Sequence, residues 1–415
     1  MSEIVDFGTV VLLVAGGLVL ALLSTRLSVT LSIPGPAIFL VFAAIASDVF
    51  PRLHDSVSIL SVERIAVVAL IVILFDGGLS IGWRRFRVAA APIFTLGILG
   101  TFATAGIVTV FAHTALGLEW ITAGLLGSAI APTDPAVMFS VLGNREIGGR
   151  TGTILEGESG ANDPVGIALM IGMIELATHP NASFARVVQE LALELPIGLV
   201  VGVAAGLLLA AAARRVSLPD EGLYLAQLLA GAGATYGVAS VLHGSGFLAV
   251  FVAGIALGDQ RLPFRRQLEI FQNGLASLAE IVVFVALGLT IELADIAWDT
   301  WVDGALLALF LAVVARPLVA GPMLLPVRLE VGERLFVIWG GLRGAVPILL
   351  AAFALLEEVD DATLIYELVF IVVAFSVLIQ GASIPWVAAR LGVPMRRIVP
   401  QEIDGSSRSD ADDGA

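Results

Sequence analysis

The stretch Gly157-Glu-Ser-Gly-Ala-Asn-Asp-Pro164 places two carboxylates, an amide and a hydroxyl in the middle of a long apolar run. A charged side chain at the centre of a bilayer costs about 2.5–3.5 kcal/mol on insertion scales. Ionisable groups at that depth mark a functional site far more often than a structural accident. The surrounding sequence must therefore supply both a membrane fold and partners for these groups.

The composition is that of a protein that crosses a membrane many times. Hydrophobic residues make up 58% of the 415 residues and charged residues only 14%, too little charge for the surface of a soluble protein of this length. The net charge of −14 argues against nucleic acid as a partner. Cysteine is absent, which excludes disulfides and thiolate metal sites. Glu3 and Asp6 precede the first apolar run, which favours a retained span over a cleaved signal peptide.

Thirteen apolar segments are predicted to span the membrane as helices, so that the fold is all-α and polytopic. They cover residues 7–25, 29–49, 65–82, 88–112, 119–142, 151–177, 189–213, 222–242, 245–258, 274–292, 302–326, 334–356 and 364–389. Residues 1–390 are therefore expected to form a transmembrane domain, followed at 391–415 by a short, acidic, disordered cytoplasmic tail.

The placement of arginine tests this count. With an odd number of spans the termini lie on opposite sides of the membrane. The loops and tail on the C-terminal side hold seventeen arginines, whereas the other side holds only Arg52, Arg64 and Arg186. This bias predicts that the N-terminus lies outside and the C-terminus in the cytoplasm. It also supports the count of thirteen, because one span more or fewer would have distributed the arginines over both sides of the membrane.

Two spans are predicted to be broken near their middle. The fifth contains Ala129-Ile-Ala-Pro-Thr-Asp-Pro-Ala136, in which two prolines remove backbone donors and disfavour helix before them. The twelfth contains Trp339-Gly-Gly-Leu-Arg-Gly-Ala-Val-Pro347, where glycines weaken the helix around a charge. A lone proline usually only kinks a span, but here both breaks coincide with charge. The two broken spans occupy corresponding positions if spans 1–6 and 8–13 are inverted six-helix repeats. In that arrangement the broken helices cross each other. Broken helices at matching positions of inverted repeats indicate the midplane binding site of a transporter.

The sixth span carries the chemistry. Ser159 and Asp163 share one helix face, and Glu158 and Asn162 share the neighbouring face. Pro164 frees the carbonyl oxygen one turn earlier, so the span offers hard oxygen ligands of the kind that alkali cations accept. Because desolvation disfavours a charged carboxylate, we expect Asp163 to exchange protons near neutral pH. One carboxylate that binds either a proton or a cation is sufficient for coupled exchange.

A buried arginine keeps its charge and requires a carboxylate partner. Arg343 lies in the broken twelfth span, and Glu158 is its predicted partner in a structural ion pair. After this pairing, acid exceeds base at the midplane, which suits a cation. Glu156 would either line a cytoplasmic entrance or cap the sixth span. The candidates for accessory roles are Asp76, Glu156, Glu280 and Arg316.

At these residues the sequence resembles the cation:proton antiporter superfamily, in the branch of NhaP-type and eukaryotic sodium/proton exchangers. The matching segments are APTDP at 131–135, EGESGANDP at 156–164 and GGLRGAVP at 340–347, and the resemblance covers essentially the whole membrane region. The segments 74–79 and 247–266 are similar to bacterial potassium/proton antiporters of this branch. Those relatives usually carry a cytoplasmic regulatory domain, which we expect this chain to lack.

The resemblance implies a homodimer with elevator-like movement of a core domain, residues 88–177 and 302–390, against a dimerisation domain, residues 7–82 and 189–292. It also implies how the site is built. Asp163 would carry the proton or the cation. The rest of the alkali-cation site would be Ser159, the carbonyl of Thr133, Asp134 and the neighbouring Asn162. Electrogenic relatives have a second aspartate at the position of Asn162, so the resemblance implies electroneutral one-for-one exchange.

We therefore expect a secondary antiporter of the plasma membrane that exchanges sodium or potassium for protons in pH and cation homeostasis. No enzyme activity and no cofactor are expected. One rival is an intramembrane aspartyl protease that uses Asp76 and Asp163, although the flanking motifs of such enzymes are missing. Another is a transport-inactive membrane sensor or scaffold. Ligand types alone do not choose between sodium and potassium.

Overall fold

The computed structural model describes residues 34–50, 58–142, 145–179 and 182–397, and this part of the chain is almost entirely helical. The first predicted span and the tail after residue 397 lie outside the described residues. The helices are α1 (Gly35–Val49), α2 (Ile59–Phe94), α3 (Thr101–Ala115), α4 (Trp120–Ile130), α5 (Ala136–Leu142), α6 (Gly149–Thr178), α7 (Phe184–Arg215), α8 (Glu221–Val241), α9 (Gly246–Gly258), α10 (Arg265–Gly288), α11 (Trp298–Phe310), α12 (Arg316–Leu324), α13 (Val331–Trp339), α14 (Ala345–Leu356), α15 (Ala362–Phe375) and α16 (Ala382–Arg390).

Three π-helical segments join consecutive helices without a loop. They are Thr95–Gly100 between α2 and α3, Leu311–Ala315 between α11 and α12, and Ser376–Gly381 between α15 and α16. Within the described residues, five helical stretches are long and apolar enough to cross a membrane. They are Ile59–Ala115, Ala185–Arg215, Arg265–Gly288, Trp298–Leu324 and Ala362–Arg390. The shorter apolar helices α1, α4, α9 and α14 pack among them.

The longest of these stretches turns sharply at Gly82. Its φ of 64° and ψ of 163° are not helical and lie in a region that suits glycine. The helix restarts with help from a neighbour, because the backbone N–H of Arg84 donates to Asp259 Oδ2 at 2.5 Å. A carboxylate at the first turn satisfies an amide that has no helical partner. The turn lies at the predicted boundary between the spans 65–82 and 88–112.

The helix breaks predicted in the fifth and twelfth spans are confirmed. Helix α4 ends at Ile130 and α5 begins at Ala136, and no helix covers the prolines between them. Likewise α13 ends at Trp339 and α14 begins at Ala345. By contrast, the sixth span is one continuous helix, α6, despite Pro164 in its interior.

A two-stranded antiparallel ladder is the exception to the all-α prediction in the described part of the chain. Strand β1 (Arg145–Ile147) follows α5 and pairs with β2 (Met395–Arg397), with Ile147 opposite Met395. The prediction of a disordered tail from residue 391 onward is therefore wrong for residues 395–397. The reason is that the chain after α16 finds backbone partners in the loop before α6, as when Gly148 N–H donates to Pro394 O at 3.0 Å.

Helices α2 and α9 approach each other through glycine. A Cβ atom on Gly254 would lie 2.5 Å from the carbonyl oxygen of Phe75 and 2.9 Å from the amide nitrogen of Leu79. Such close backbone contact is how membrane helices gain packing energy, since lipid tails are as apolar as their side chains. The α2–α9 contact forms one wall of the region that holds the polar residues.

We expect Gly254→Ala to lower the melting midpoint of the purified protein, because the methyl group must push two backbones apart. Overpacking of this kind costs about 1–3 kcal/mol. Gly233→Ala in α8 is the matched control, since nothing lies within 4 Å of its Cβ position. Equal midpoints for the two variants in a detergent melting assay would contradict the close α2–α9 packing.

Candidate functional site

The two helix breaks lie against each other and satisfy each other's backbone groups. The N–H of Asp134 donates to Leu342 O at 2.8 Å, and Arg343 Nε donates to Ile130 O at 3.0 Å. The contact is close enough that any Cβ on Gly344 would collide with the Asp134 carboxylate. Backbone that leaves the helix at membrane depth is tolerated only where protein or a water-filled cavity supplies its partners. The crossing therefore fixes where Asp134 lies.

The π-segment Ser376–Gly381 holds the second break in place. The N–H of Arg343 donates to Ser376 Oγ at 2.8 Å, and Gln380 Nε2 donates to Trp339 O at 2.6 Å. The side chains of Ser376 and Gln380 are both buried, so these two backbone groups of the unwound segment have partners that do not depend on water.

A cavity of about 510 Å³ reaches from this crossing to the protein surface. Its walls come from α2, α5, α6, α9, α10, α14 and the break before α5. Five carboxylates and one guanidinium line it, which makes the cavity strongly acidic. Such walls attract cations and repel anions. The charged lining residues are Asp76, Arg85, Asp134, Glu156, Asp163 and Glu280.

Asp163 and Ser159 reach this cavity from the same face of α6, as the four-residue spacing predicts. Both are buried, with exposed fractions of 4% and 7%. The Oδ1 atom of Asp163 has no hydrogen-bond partner among the described residues. A buried carboxylate oxygen without a donor is costly, and it is available to a proton or a cation.

Asn162 and Thr133 contact each other instead of the cavity. Asn162 Nδ2 donates to Thr133 Oγ1 at 2.7 Å, and both residues are buried. The bond ties α6 to the first helix break directly beside Asp163 and Asp134. Asn162 Oδ1 has no partner within the described part of the chain. The structure thus brings all five predicted site residues together, with three of them on the cavity wall: Asp134, Ser159 and Asp163.

The predicted ion pair between Glu158 and Arg343 is wrong, because Glu158 pairs with Arg316. Arg316 donates from Nη1 to Glu158 Oε1 and from Nη2 to Oε2, the latter at 2.8 Å. This two-bond geometry fits a guanidinium to a carboxylate, and both side chains are almost fully buried. Arg316 is therefore a partner of Glu158 and not an accessory residue of the cavity.

Arg343 donates to backbone carbonyls instead of to a carboxylate. Besides Ile130 O, its Nη1 donates to the carbonyl oxygen of Gly341. Both carbonyls are free because the helices that would have used them end there. Arg316 can reach Glu158 partly because Gly341 lacks a side chain, since a Cβ there would collide with the Arg316 guanidinium.

The other three accessory candidates, Asp76, Glu156 and Glu280, all line the cavity. Asp76 on α2 and Glu280 on α10 line the cavity opposite α6. Glu156 also lines the cavity and forms a 3.4 Å ion pair with Arg85. Of the two alternatives left open for Glu156, capping is wrong, because α6 begins at Gly149 and Glu156 lies two turns inside it. The cytoplasmic entrance stays a prediction.

Sequence reasoning missed the polar face of α10. Asn273 and Ser277 line the cavity together with Glu280, at spacings of four and three residues on one helix face. That spacing was readable in the sequence as a polar stripe on an otherwise apolar span. Arg85 was also missed as a site residue, because its position in an arginine cluster at 84–87 suggested only a topological role.

Comparisons with known proteins agree with this architecture. The family model described as "Sodium/hydrogen exchanger, transmembrane" matches residues 12–390. A K(+)/H(+) antiporter NhaP2 from Shewanella sp. (strain ANA-3) is 34% identical over 383 residues, covering 90% of this chain and 66% of the relative. A K(+)/H(+) antiporter NhaP from Alkalimonas amylolytica is 36% identical over 334 residues, covering 80% of this chain and 58% of the relative. The chain thus spans 66% and 58% of the length of these two relatives.

The fold is also found among solved structures. The sodium proton antiporter MjNhaP1 from Methanocaldococcus jannaschii superposes with a TM-score of 0.74 at 24% sequence identity. The match covers 92% of this chain and all of the solved chain. At that identity the likeness shows that the two proteins share a fold.

We expect Arg316→Met to lower the free energy of unfolding by about 3–5 kcal/mol, because it leaves the Glu158 carboxylate buried without a partner. Replacing both residues, as in Glu158→Leu with Arg316→Met, should recover much of that loss. Arg186→Met is the control, since its ion pair with Glu190 is exposed and such pairs contribute about 0–1 kcal/mol. Melting midpoints that fall equally in Arg316→Met and Arg186→Met would contradict a buried, coupled pair.

Proposed function

The chain belongs to the sodium/hydrogen exchanger family, and on this premise we propose that it exchanges a monovalent cation, sodium or potassium, for a proton. It is a multi-pass membrane protein, and the membrane in which it works is the plasma membrane. The observation that carries the proposal is Asp163, a buried carboxylate with an unpartnered oxygen on the wall of an acidic cavity.

The exchange follows from competition for one group. When Asp163 is ionised, its charge attracts a cation into a site of low dielectric. When it is protonated, that attraction is lost and the cation leaves. Because the carboxylate binds either one proton or one cation, each crossing carries one or the other. Coupling therefore needs no second titrating residue.

The cation ligands proposed around Asp163 are the oxygens of Ser159 and Asp134 and the carbonyl of Thr133. These ligands are proposed because they lie near Asp163. Ser159 and Asp134 line the same cavity as Asp163, and Thr133 is hydrogen-bonded to Asn162 of α6. All are hard oxygen donors, which suit an alkali cation. Asp76 and Glu280 would attract the cation from the opposite wall.

The movement proposed is an elevator-like displacement of a core, residues 88–177 and 302–390, against a dimerisation unit, residues 7–82 and 189–292, in a homodimer. The turn at Gly82 supports the first boundary, since it separates the two halves of α2. The cavity supports the interface, because α6 and α14 face α2 and α10 across it. Thirteen spans in two inverted repeats, with the C-terminus in the cytoplasm, complete this proposal.

The oxygen ligands proposed around Asp163 suit both sodium and potassium. The relatives from Shewanella and Alkalimonas are named for potassium, and the solved MjNhaP1 structure is named for sodium. Flux measured side by side with sodium, lithium, potassium and rubidium would decide it. The aspartyl protease alternative is not favoured, because the matching family is one of transporters.

We expect Asp163→Asn to reduce cation-driven proton flux to the background of protein-free vesicles, because an amide neither releases a proton nor binds a cation by charge. The measurement is proton flux in proteoliposomes, with the melting midpoint taken to show that the variant folds. Asp299→Asn, at an exposed position on α11, is the control and should retain full flux. Near-normal flux in Asp163→Asn would rule out the carrier role.

A second prediction concerns charge balance. One cation exchanged for one proton moves no net charge, so an imposed membrane potential should leave the flux unchanged. Net movement of one charge would couple to the potential by about 2.3 kcal/mol per 100 mV. The test is flux in proteoliposomes whose potential is set by an ion that the protein does not transport. A flux that follows the potential would show that unequal numbers of protons and cations cross in each cycle.

A further inference from the structure

A second cavity, also of about 510 Å³, lies away from Asp163, between α6, the part of α2 after Gly82 and the end of α12. Two arginines line it, Arg150 from the first turn of α6 and Arg328 from the segment after α12, and no carboxylate does. The rest of the wall is mostly apolar and includes Ala91, Leu99, Met323 and Pro326. This cavity therefore has the opposite charge to the cation pathway.

Arg150 is held at the cavity by the helix it faces. Its Nη2 donates to Val88 O at 2.7 Å. That carbonyl lacks its helical partner, because the residue four positions later is Pro92, which has no N–H. Neither Arg150 nor Arg328 forms an ion pair with any described residue. The cavity thus holds two positive charges that the described protein does not compensate.

The surroundings of the cavity are those of a surface against lipid. Leu99 on the wall is 59% exposed, Leu318 on α12 is 60% exposed, and Leu325 directly after α12 is 67% exposed. Exposed leucine on membrane helices faces hydrocarbon. The distribution of arginine predicts that Arg150 and Arg328 both lie on the cytoplasmic side, at the depth of the inner-leaflet headgroups.

We propose that this cavity binds the phosphate headgroup of one anionic phospholipid of the cytoplasmic leaflet. Guanidinium groups bind phosphate oxygens through paired, charge-assisted hydrogen bonds. Basic pockets between membrane helices on the cytoplasmic side are suited to anionic headgroups. The acyl chains would lie along Leu99 and Met323. Both walls belong to the proposed core, so the lipid would move with the core. The inference rests on the cavity and not on which ion is exchanged.

The test is a titration of the purified full-length protein with phosphatidylglycerol, followed by native mass spectrometry. Arg150→Gln combined with Arg328→Gln should weaken the apparent affinity at least tenfold. Arg261→Gln with Arg266→Gln is the matched control: it removes the same charge from the same side at exposed positions outside the cavity, and it should bind as the unaltered protein does. Phosphatidylcholine should bind the two double variants alike.

Equal binding by the unaltered protein and the Arg150/Arg328 variant would overturn the proposal. An equal loss in both double variants would overturn it too, because the effect would then be one of surface charge alone. Displacement of the lipid by millimolar inorganic phosphate would identify the site as one for free phosphate. Arg328→Gln alone keeps the test open if the double variant fails to fold, since the Arg328 side chain is exposed and makes no hydrogen bond to the described residues. It should weaken binding about threefold.

Discussion

The structure depends on the contact between two interrupted helices. A helix that unwinds inside a membrane exposes backbone groups that lipid cannot satisfy. Here each break supplies what the other lacks, through Asp134 N–H to Leu342 O and Arg343 to Ile130 O. The unwound segments can therefore stay at membrane depth, and Asp134 stays beside α6.

The acidic groups of α6 then divide into two kinds. Glu158 is compensated by Arg316 in a buried two-bond pair, so its charge is held by the structure. Asp163, one turn away, has no such partner and faces an acidic cavity. The contrast explains how two carboxylates five residues apart can serve different ends. Glu158 stabilises the packing of the helices, whereas Asp163 can exchange a proton for a cation.

The two helix breaks and the shared face of Ser159 and Asp163 could be predicted from the sequence, because each depends on residues that are close together in the chain. Proline and glycine spacing predicted both breaks, and a four-residue spacing predicted that Ser159 and Asp163 share a face. The partner of Glu158 could not be predicted in that way. Arg316 and Arg343 both lie in mid-span, and the choice depends on the carbonyls of Ile130 and Gly341, which become free only where helices end. The pairing of residues 395–397 was missed because it depends on a distant loop.

The central claim is that one carboxylate, Asp163, holds either a proton or a cation and never both. The most direct measurement is the release of protons when sodium or potassium is added to the purified protein in weakly buffered solution. Ligands that must be deprotonated to bind release protons on binding, and the account predicts about one proton for each cation bound. It also predicts no release from the Asp163→Asn variant. Cation binding by the unaltered protein without proton release, or equal release from the variant, would contradict the account.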